Sequence, residues 1–516
     1  MHAANTATAG AAAQREPRAS EALASIDLGS NSFRLELASL HRGQYKRIDY
    51  LKETVRLGGG LDAQGLLTEE AQQRGLECLA RFAQRLKGVV DAQRVRAVAT
   101  QTLREARNRD AFLDRAHEEL GYPIEVISGR EEARLIFAGV AHLQPSDVPR
   151  LVIDIGGRST EMIVGQGRTP RRAESFQTGS VSLSMRYFPD GRFTPEAFRA
   201  AQIAAGAELE EGLQPFAPGQ WAQALGSSGT VSAVSQLLAA NGITDGVITP
   251  AGLRWCIEAC LQAGHQDALS LPGLKPERRA VLGGGLSILY TLAMQFGIDA
   301  LQPARGALRQ GVIFELADRL EAARAPRRHI ADMRDASVQE LQRRFGVDVL
   351  QAERVRHVAL SLYACIARKP ADESVRELGW AAALHEVGMA VSHHDHHRHS
   401  AYLVAHVDAP GFSQSQQRRV AELVLGQRGS LAKLGPALAR DGLAWKVMAL
   451  RLATLLCHAR SDLPRDVVAL ERASNGAVLT LDENWAHGHP RTMFLLNEEV
   501  QAWSGREGLR LRVETV

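Results

Sequence analysis

Two stretches of the chain carry the same order of apolar and polar positions. Ala24 to Leu40 reads ASIDLGSNSFRLELASL, and Leu151 to Gly167 reads LVIDIGGRSTEMIVGQG. With Ile26 set on Ile153 the two align without a gap: Asp27 falls on Asp154, Gly29 on Gly156, Ser30 on Gly157, Asn31 on Arg158 and Ser32 on Ser159. Each copy predicts a short buried strand, an acidic residue at its end, a Gly/Ser turn and a second apolar strand. A tip of this kind offers a carboxylate, backbone N–H groups and hydroxyls to one point, and consecutive N–H groups in a glycine turn form an anion nest. A carboxylate beside a phosphate makes sense when a divalent metal lies between them. The duplication therefore predicts two facing lobes with a phosphate and metal site in the cleft.

The pattern between and after the copies fills in the lobes. Tyr45 to Arg56 predicts a strand and turn. A helix follows from Thr68, with Leu76, Leu79, Ala83 and Leu86 on one face. Residues from Arg94 form a strand through Val98 and a helix near Thr102, with Arg104 close to its start. Ile124, Val126 and Ile127 form a strand, Ser128-Gly129 a turn, and Arg130 onward a helix. Glu131 and Glu132 sit in that helix's first turn, where they complement its dipole, and one of them is placed to enter the cleft as a general base for water. Gly226, Ser227, Ser228, Gly229 and Thr230 repeat the strand–turn–helix theme and offer a helix N-terminus to an anion. The glycine-broken apolar run from Val281 to Ile298 predicts a buried helix, and Ala304 onward a second helix closing the lobe.

From about Arg319 the period becomes helical. Two amphipathic helices run from Val338 around Gly346, and His393, His394, His396 and His397 fall in an expected polar loop. Ala477 to Asn484, Thr492 to Asn497 and the final eight residues alternate like strands, predicting a small α/β or β appendage. The expected organisation is a leader over 1–20, a first lobe over 21–143, a second over 144–318, a helical domain over 319–470 and the appendage over 471–516.

At 516 residues the chain needs several cores, and 45% hydrophobic with 23% charged residues is an ordinary globular composition. The formal charge of +3 gives no argument for nucleic acid, although Arg324, Arg327 and Arg328 form a local basic cluster. Five cysteines without a paired CxxC favour a reduced, cytoplasmic setting, and Cys256 and Cys260, one helical turn apart, read as core. No apolar run is long enough to span a membrane; peripheral membrane association remains compatible with the chain.

The segments IDLGSNSFRLELA, TLREARN, VISGREEARLIFAGV, DIGGRSTE, GSSGTV and GALRQGV stand in the order of the exopolyphosphatase / guanosine pentaphosphatase family, which the chain resembles from Ala24 to about Glu315. The likeness continues through LHEVG, RHSAYL and PGFSQSQQ. It implies α/β architecture with two duplicated ribonuclease-H-like lobes of the actin, Hsp70 and acetate kinase type, then a degenerate HD-like helical domain and the small C-terminal appendage. It further implies Glu132 as the catalytic base, Asp154, Glu161 and Asp27 as metal-linked carboxylates for Mg²⁺, and Arg104 as a phosphate-cleft cation. Gly29, Ser30, Asn31, Ser32, Gly156, Gly157, Arg158, Ser159, Thr160, Gly226, Ser227, Ser228, Gly229 and Thr230 would line the phosphate site. The implied reaction is release of orthophosphate from the end of inorganic polyphosphate. The alternatives are removal of the 5′-terminal phosphate of guanosine pentaphosphate, and a non-catalytic polyphosphate or alarmone sensor. A homodimer is implied, and a working second metal site is in doubt because His385-Glu386 stands where an HD pair would be. Arg158, where the family has a small residue, is expected either to add a cation beside the phosphate chain or to crowd out a nucleotide.

Overall fold

The computed structural model describes residues 22–41, 43–324, 332–440, 442–464, 466–504 and 509–516. The expected leader and the basic cluster at Arg324, Arg327 and Arg328 lie outside the described residues and side chains. The chain divides into two units: residues up to 124 with 132–325, and residues 125–131 with 326–516.

The first unit holds the duplication. Its first sheet comes from β1 (Leu23–Leu28), β2 (Phe33–His41), β3 (Gln44–Glu53), β4 (Val95–Ala99) and β5 (Ile124–Val126), with α1 (Glu69–Leu86), α2 (Gln101–Glu105), α3 (Arg109–Leu120) and α4 (Gly129–Leu143). The second has β6 (Arg150–Ile155), β7 (Thr160–Gln166), β8 (Thr169–Phe176), β9 (Gln223–Ser227) and β10 (Leu301–Pro303). With it come α5 (Ser180–Tyr187), α6 (Pro195–Leu209), α7 (Gly229–Ala240), α8 (Pro250–Ala263), α9 (Arg279–Gln295) and α10 (Leu308–Arg324). The strand orders are the same, β3-β2-β1-β4-β5 and β8-β7-β6-β9-β10. In each, the predicted hairpin is antiparallel and its first strand also pairs in parallel with a later one. Both faces of the central strands are covered, so Ile26, Leu28, Ile153 and Ile155 are all buried. Thr68 caps α1 by accepting from Ala71 N–H, which is worth about 1 kcal/mol.

The lobes are not contiguous in sequence as 21–143 and 144–318. Phe137 of α4 packs so tightly on β7 that a Cβ at Gly165 would lie 2.4 Å from its ring. Ile313 and Leu316 of α10 pack on Leu23 and Ala38 of the first sheet. The two helices meet through glycine: a Cβ on Gly311 would sit 1.8 Å from the Leu135 carbonyl oxygen, and one on Gly139 2.3 Å from that of Ala307. Beneath this contact Glu315 is buried with Arg96 at 2.9 Å, Arg319 at 2.6 Å and Arg134. Helical periodicity announced both helices but not which sheet each would cover.

The second unit contains α11 (Met333–Arg344), α12 (Val349–Ile366), α13 (Asp372–Ala383), α14 (His396–His406), α15 (Gln414–Gly426), α16 (Leu443–Leu456), β11 (Val468–Ala473), β12 (Gly476–Leu481), α17 (Glu483–Gly488), α18 (Pro490–Ser504) and β13 (Arg510–Thr515). Three expectations are corrected here. Thr492 to Asn497 is helical, because Thr492, Leu496, Glu499 and Trp503 form one buried helix face. His396 and His397 are not in a loop but buried in the first turn of α14, after Asp395 in the left-handed conformation (φ 52°). The final sheet starts at Val468 rather than 471, and Leu470, Leu479 and Leu511 share one core with Val358 and Leu450 of the helices, so it is not a separate domain. Among the described residues no helix is long and apolar enough to cross a membrane. All five cysteines are unpaired thiols, with Cys256 and Cys260 buried as expected.

Candidate phosphate cleft

The turn tips of the two hairpins meet at the floor of a cavity of about 490 Å³. A Cβ on Gly157 would lie 3.2 Å from Ser30 Cβ, and one on Gly29 3.0 Å from the Ser32 carbonyl oxygen. Neither these glycines nor Gly156 or Arg158 adopts positive φ. Gly157 thus serves close approach between the tips and Gly29 a tight turn within its own hairpin, neither needing a left-handed conformation, and Arg158 carries no backbone strain. The Gly156 N–H is already donated to the Ser159 carbonyl at 2.9 Å, so it is not free for an anion.

Of the predicted residues, Asp27, Gly29, Ser30, Asn31, Ser32, Glu132, Asp154, Gly156, Gly157, Ser159, Ser227, Ser228, Gly229 and Thr230 line the cavity. Five predicted residues do not. Thr160 is buried and donates to the Thr178 carbonyl at 2.6 Å. Gly226 is a packing position, where a Cβ would meet Val231 at 2.7 Å. Arg158 turns aside, its Nη2 2.6 Å from Glu105 and its Nη1 donating to the Gly58 carbonyl at 3.2 Å, so it joins the lobes instead of facing a ligand. Arg104 and Glu161 stand directly behind the lining.

The two hairpins carry opposite charge arrangements. Asp27 lies opposite Arg34 across β1–β2 and is ion-paired with it at 3.0 Å. Asp27 therefore has a counter-charge within the protein. Asp154 lies opposite Glu161 across β6–β7, two acids with no cation at ion-pair distance among the described residues. Burial pushes the Asp154 carboxyl up, against the pull of the Ser227 hydroxyl and the Arg34 charge. Burial raises Glu161 well above the usual carboxylate range, and the nearby Glu132 and Asp154 charges add to this. Glu161 accepts from Ser175 at 2.8 Å, and its other oxygen is buried without a partner. That orphaned oxygen and the uncompensated acid pair fit a divalent cation bound through carboxylate and phosphate oxygens together. They do not form a complete cage: among the described residues no three His, Cys, Asp or Glu side chains converge as a metal site.

Glu132 projects into the cavity from the first turn of α4. Its Oε2 lies 2.8 Å from Arg104 Nη1, while Arg104 Nε and Nη2 both donate to Gln101 Oε1. Burial pushes Glu132 up to about 7, against the lowering pull of Arg104 and with Asp27 and Asp154 adding repulsion. A carboxylate near neutrality is a competent base for water. Glu131 points away and accepts the Gly411 N–H at 3.0 Å.

The cavity lining is also rich in cations, and sequence reading missed most of them. Arg34, Arg47, Lys52, Lys275, Arg278 and Arg309 all line the cavity. Burial lowers Lys52, and the Arg278 and Arg34 charges lower it further. Arg278 lies so close to the start of α7 that a Cβ on Gly229 would stand 2.0 Å from its Nη2. Ser228, at φ 113°, caps α7 by accepting from Thr230 and Val231 N–H, a strained conformation at the cavity edge. These cations are scattered in sequence; only Arg34, aligned with Glu161, and Arg309, inside GALRQGV, fall in segments that carry the family resemblance.

The model of the Ppx/GppA phosphatase family matches residues 38–320, and that of Ppx/GppA phosphatase domain III matches 333–500. A guanosine-5′-triphosphate,3′-diphosphate pyrophosphatase of Photobacterium profundum is 36% identical over 92% of this chain and 95% of its own. Its namesake from Vibrio cholerae is 36% identical over 91% and 93%. The crystal structure of an exopolyphosphatase from Cytophaga hutchinsonii, 24% identical, superposes with a TM-score of 0.53 over 58% of this chain and 98% of that one, which supports the fold. On family models that span both units and relatives matched over nearly their whole length, the chain belongs to the Ppx/GppA phosphatase family.

Proposed function

We propose that the chain hydrolyses the terminal phosphoryl group of a phosphoanhydride, with guanosine pentaphosphate as its first substrate. The observation that carries the chemistry is Glu132, a buried carboxylate near neutrality beside an uncompensated acid pair and facing a cationic wall. The choice of substrate rests on the two relatives named for guanosine pentaphosphate turnover. Polyphosphate is the second reading, favoured by the number of cavity cations, which suit a run of phosphates longer than one nucleotide carries.

In this mechanism the wall cations and the hairpin tips hold the chain so that its last phosphorus faces Glu132. Arg104 keeps the Glu132 carboxylate aimed into the cavity. Water attacks phosphorus as its proton passes to Glu132, the bridging P–O bond breaks, and its electrons leave with the shortened chain. Mg²⁺ held by Asp154 and Glu161 would supply charge neutralisation at the phosphate oxygens. The same reading includes a homodimer, and a cytoplasmic setting supported by the five unpaired thiols. It takes the helical region as a degenerate HD-like domain, where His385 is buried beside Glu386.

The test is orthophosphate release from guanosine pentaphosphate and from long polyphosphate, with Mg²⁺ or with chelator, for the wild type and Glu132→Gln. Faster Mg²⁺-dependent release from the pentaphosphate, lost in the variant, is the expected result. Faster release from polyphosphate would replace the first reading by the second. Binding without release from either would make the protein a sensor and end both.

A further inference from the structure

The duplication extends to the crossing helices. With Leu135-Ile136-Phe137 of α4 set on Val312-Ile313-Phe314 of α10, Glu132 falls on Arg309. Both residues lie in the first turn of their helix, and both line the cavity. The base on one helix thus has a cation as its structural counterpart on the other.

Arg309 is held from behind by an unusual group. Glu36, in the middle of β2, has no solvent exposure. Its Oε2 accepts Arg309 Nε at 3.2 Å, and its Oε1 accepts Gln310 Nε2 at 2.6 Å and the Tyr45 hydroxyl. A carboxylate buried so deeply persists only when it is paired and hydrogen-bonded. The face of the Tyr50 ring, 5.1 Å from the guanidinium carbon, restricts Arg309 further. Only Nε is engaged among the described residues, so both Nη groups remain available for planar, two-pronged contact with phosphate oxygens.

We propose that Arg309 is a substrate-binding cation of this cleft, gripping the phosphate chain from the side facing Glu132, and that buried Glu36 is the positioning residue that aims it. The assignment rests on the cleft taking a phosphate chain, the premise of the function proposed above. Were Glu36 only a tie between β2 and α10, its loss would change stability without depending on Arg309's grip on a ligand.

The deciding experiment is calorimetric binding of inorganic tripolyphosphate with Mg²⁺, in a Glu132→Gln background that prevents turnover. Arg309→Ala, Arg309→Lys, Glu36→Gln and the double variant Glu36→Gln/Arg309→Ala are compared, with melting curves confirming a folded protein. Arg309→Ala is expected to weaken binding about 10- to 100-fold, the scale of a charge-assisted pair. Arg309→Lys is expected to recover part of that loss, because charge returns without the planar fork. Glu36→Gln is expected to weaken binding several-fold, and the double variant to bind like Arg309→Ala alone. Losses that multiply in the double variant would overturn the positioning role. Unchanged binding by Arg309→Ala would overturn the whole proposal, even if Glu36→Gln fails to fold. If tripolyphosphate binds as expected while the wild type releases phosphate from neither substrate, the proposed reaction falls and this assignment stands.

Discussion

The two hairpins share a strand–turn–strand order and differ in the charge that faces the acid at the end of the first strand. In the first, the residue facing Asp27 is Arg34, and the pair closes on itself at 3.0 Å. In the second, the residue facing Asp154 is Glu161, and among the described residues neither acid has a cation at ion-pair distance. The same contrast recurs on the crossing helices, with Glu132 on α4 and Arg309 on α10. Duplication supplied two equivalent tips, and a few charge reversals made one side of the cleft acidic and the other cationic; under the function proposed above, the first would take a metal and a water and the second phosphate oxygens. Like charges this close cost energy, and in the proposed function a polyanion bound with a cation would relieve both sides together.

The most forceful way to break the contrast is to write the first hairpin into the second. Glu161→Arg places a guanidinium opposite Asp154, as Arg34 stands opposite Asp27. It should cut phosphate release by about 1000-fold or more and remove the response to Mg²⁺ titration, since the developing charge loses its preorganised partner. Asp154→Asn should cost about 100- to 1000-fold in kcat, whereas Asp27→Asn, whose charge is cancelled by Arg34, should cost nearer 10-fold. Equal losses from the two asparagine variants in steady-state assays would mean that the hairpins are not divided as described.

A stability prediction sharpens the helix half of the comparison. Glu315 sits beneath the α4–α10 contact with Arg96, Arg134 and Arg319 around it. Glu315→Gln leaves three guanidinium groups short of their counter-charge, and breaking a buried pair in this way costs about 3–5 kcal/mol. Denaturant unfolding followed by a probe in the first unit should show this loss. A change below about 1 kcal/mol would show that solvent already reaches the cluster.

How far the sequence could be read follows from the same contrast. The repeated strand–acid–turn pattern gave both hairpins and the positions of Asp27 and Asp154, because period and turn chemistry act locally; β4 and β9 were legible as strands but not as parallel partners. The position after a strand end brought Glu131 or Glu132 to the cleft, and the family resemblance chose Glu132. The exchange of α4 and α10 between sheets was not legible, since Phe137 and Phe314 show only that each helix has a buried face, not what covers it. The cations were harder to read: Lys52, Arg278 and Arg309 come from three separated segments, and only Arg309, inside GALRQGV, falls in a segment that carries the resemblance. Thr492 to Asn497 was misread for a simpler reason: an apolar run of six residues satisfies both periods, and the longer spacing to Glu499 and Trp503 decides for helix.

Arg158 gives the smallest predicted effect and the finest test of the division. In the aligned register it occupies the position of Asn31, at the tip of the acidic hairpin, where a cation facing the ligand would blur the contrast between the two walls. Instead its guanidinium reaches across to Glu105 and the Gly58 carbonyl, outside the cavity lining. Its work is therefore to hold one tip against the other lobe, through a partly exposed pair worth about 1 kcal/mol or less. Arg158→Gly should lower the melting temperature by a few degrees at most. It should leave the ratio of pentaphosphate to polyphosphate turnover unchanged, because the residue selects between neither. A shifted ratio would return Arg158 to the ligand, and the acidic hairpin would then carry a cation of its own, as the first one does in Arg34.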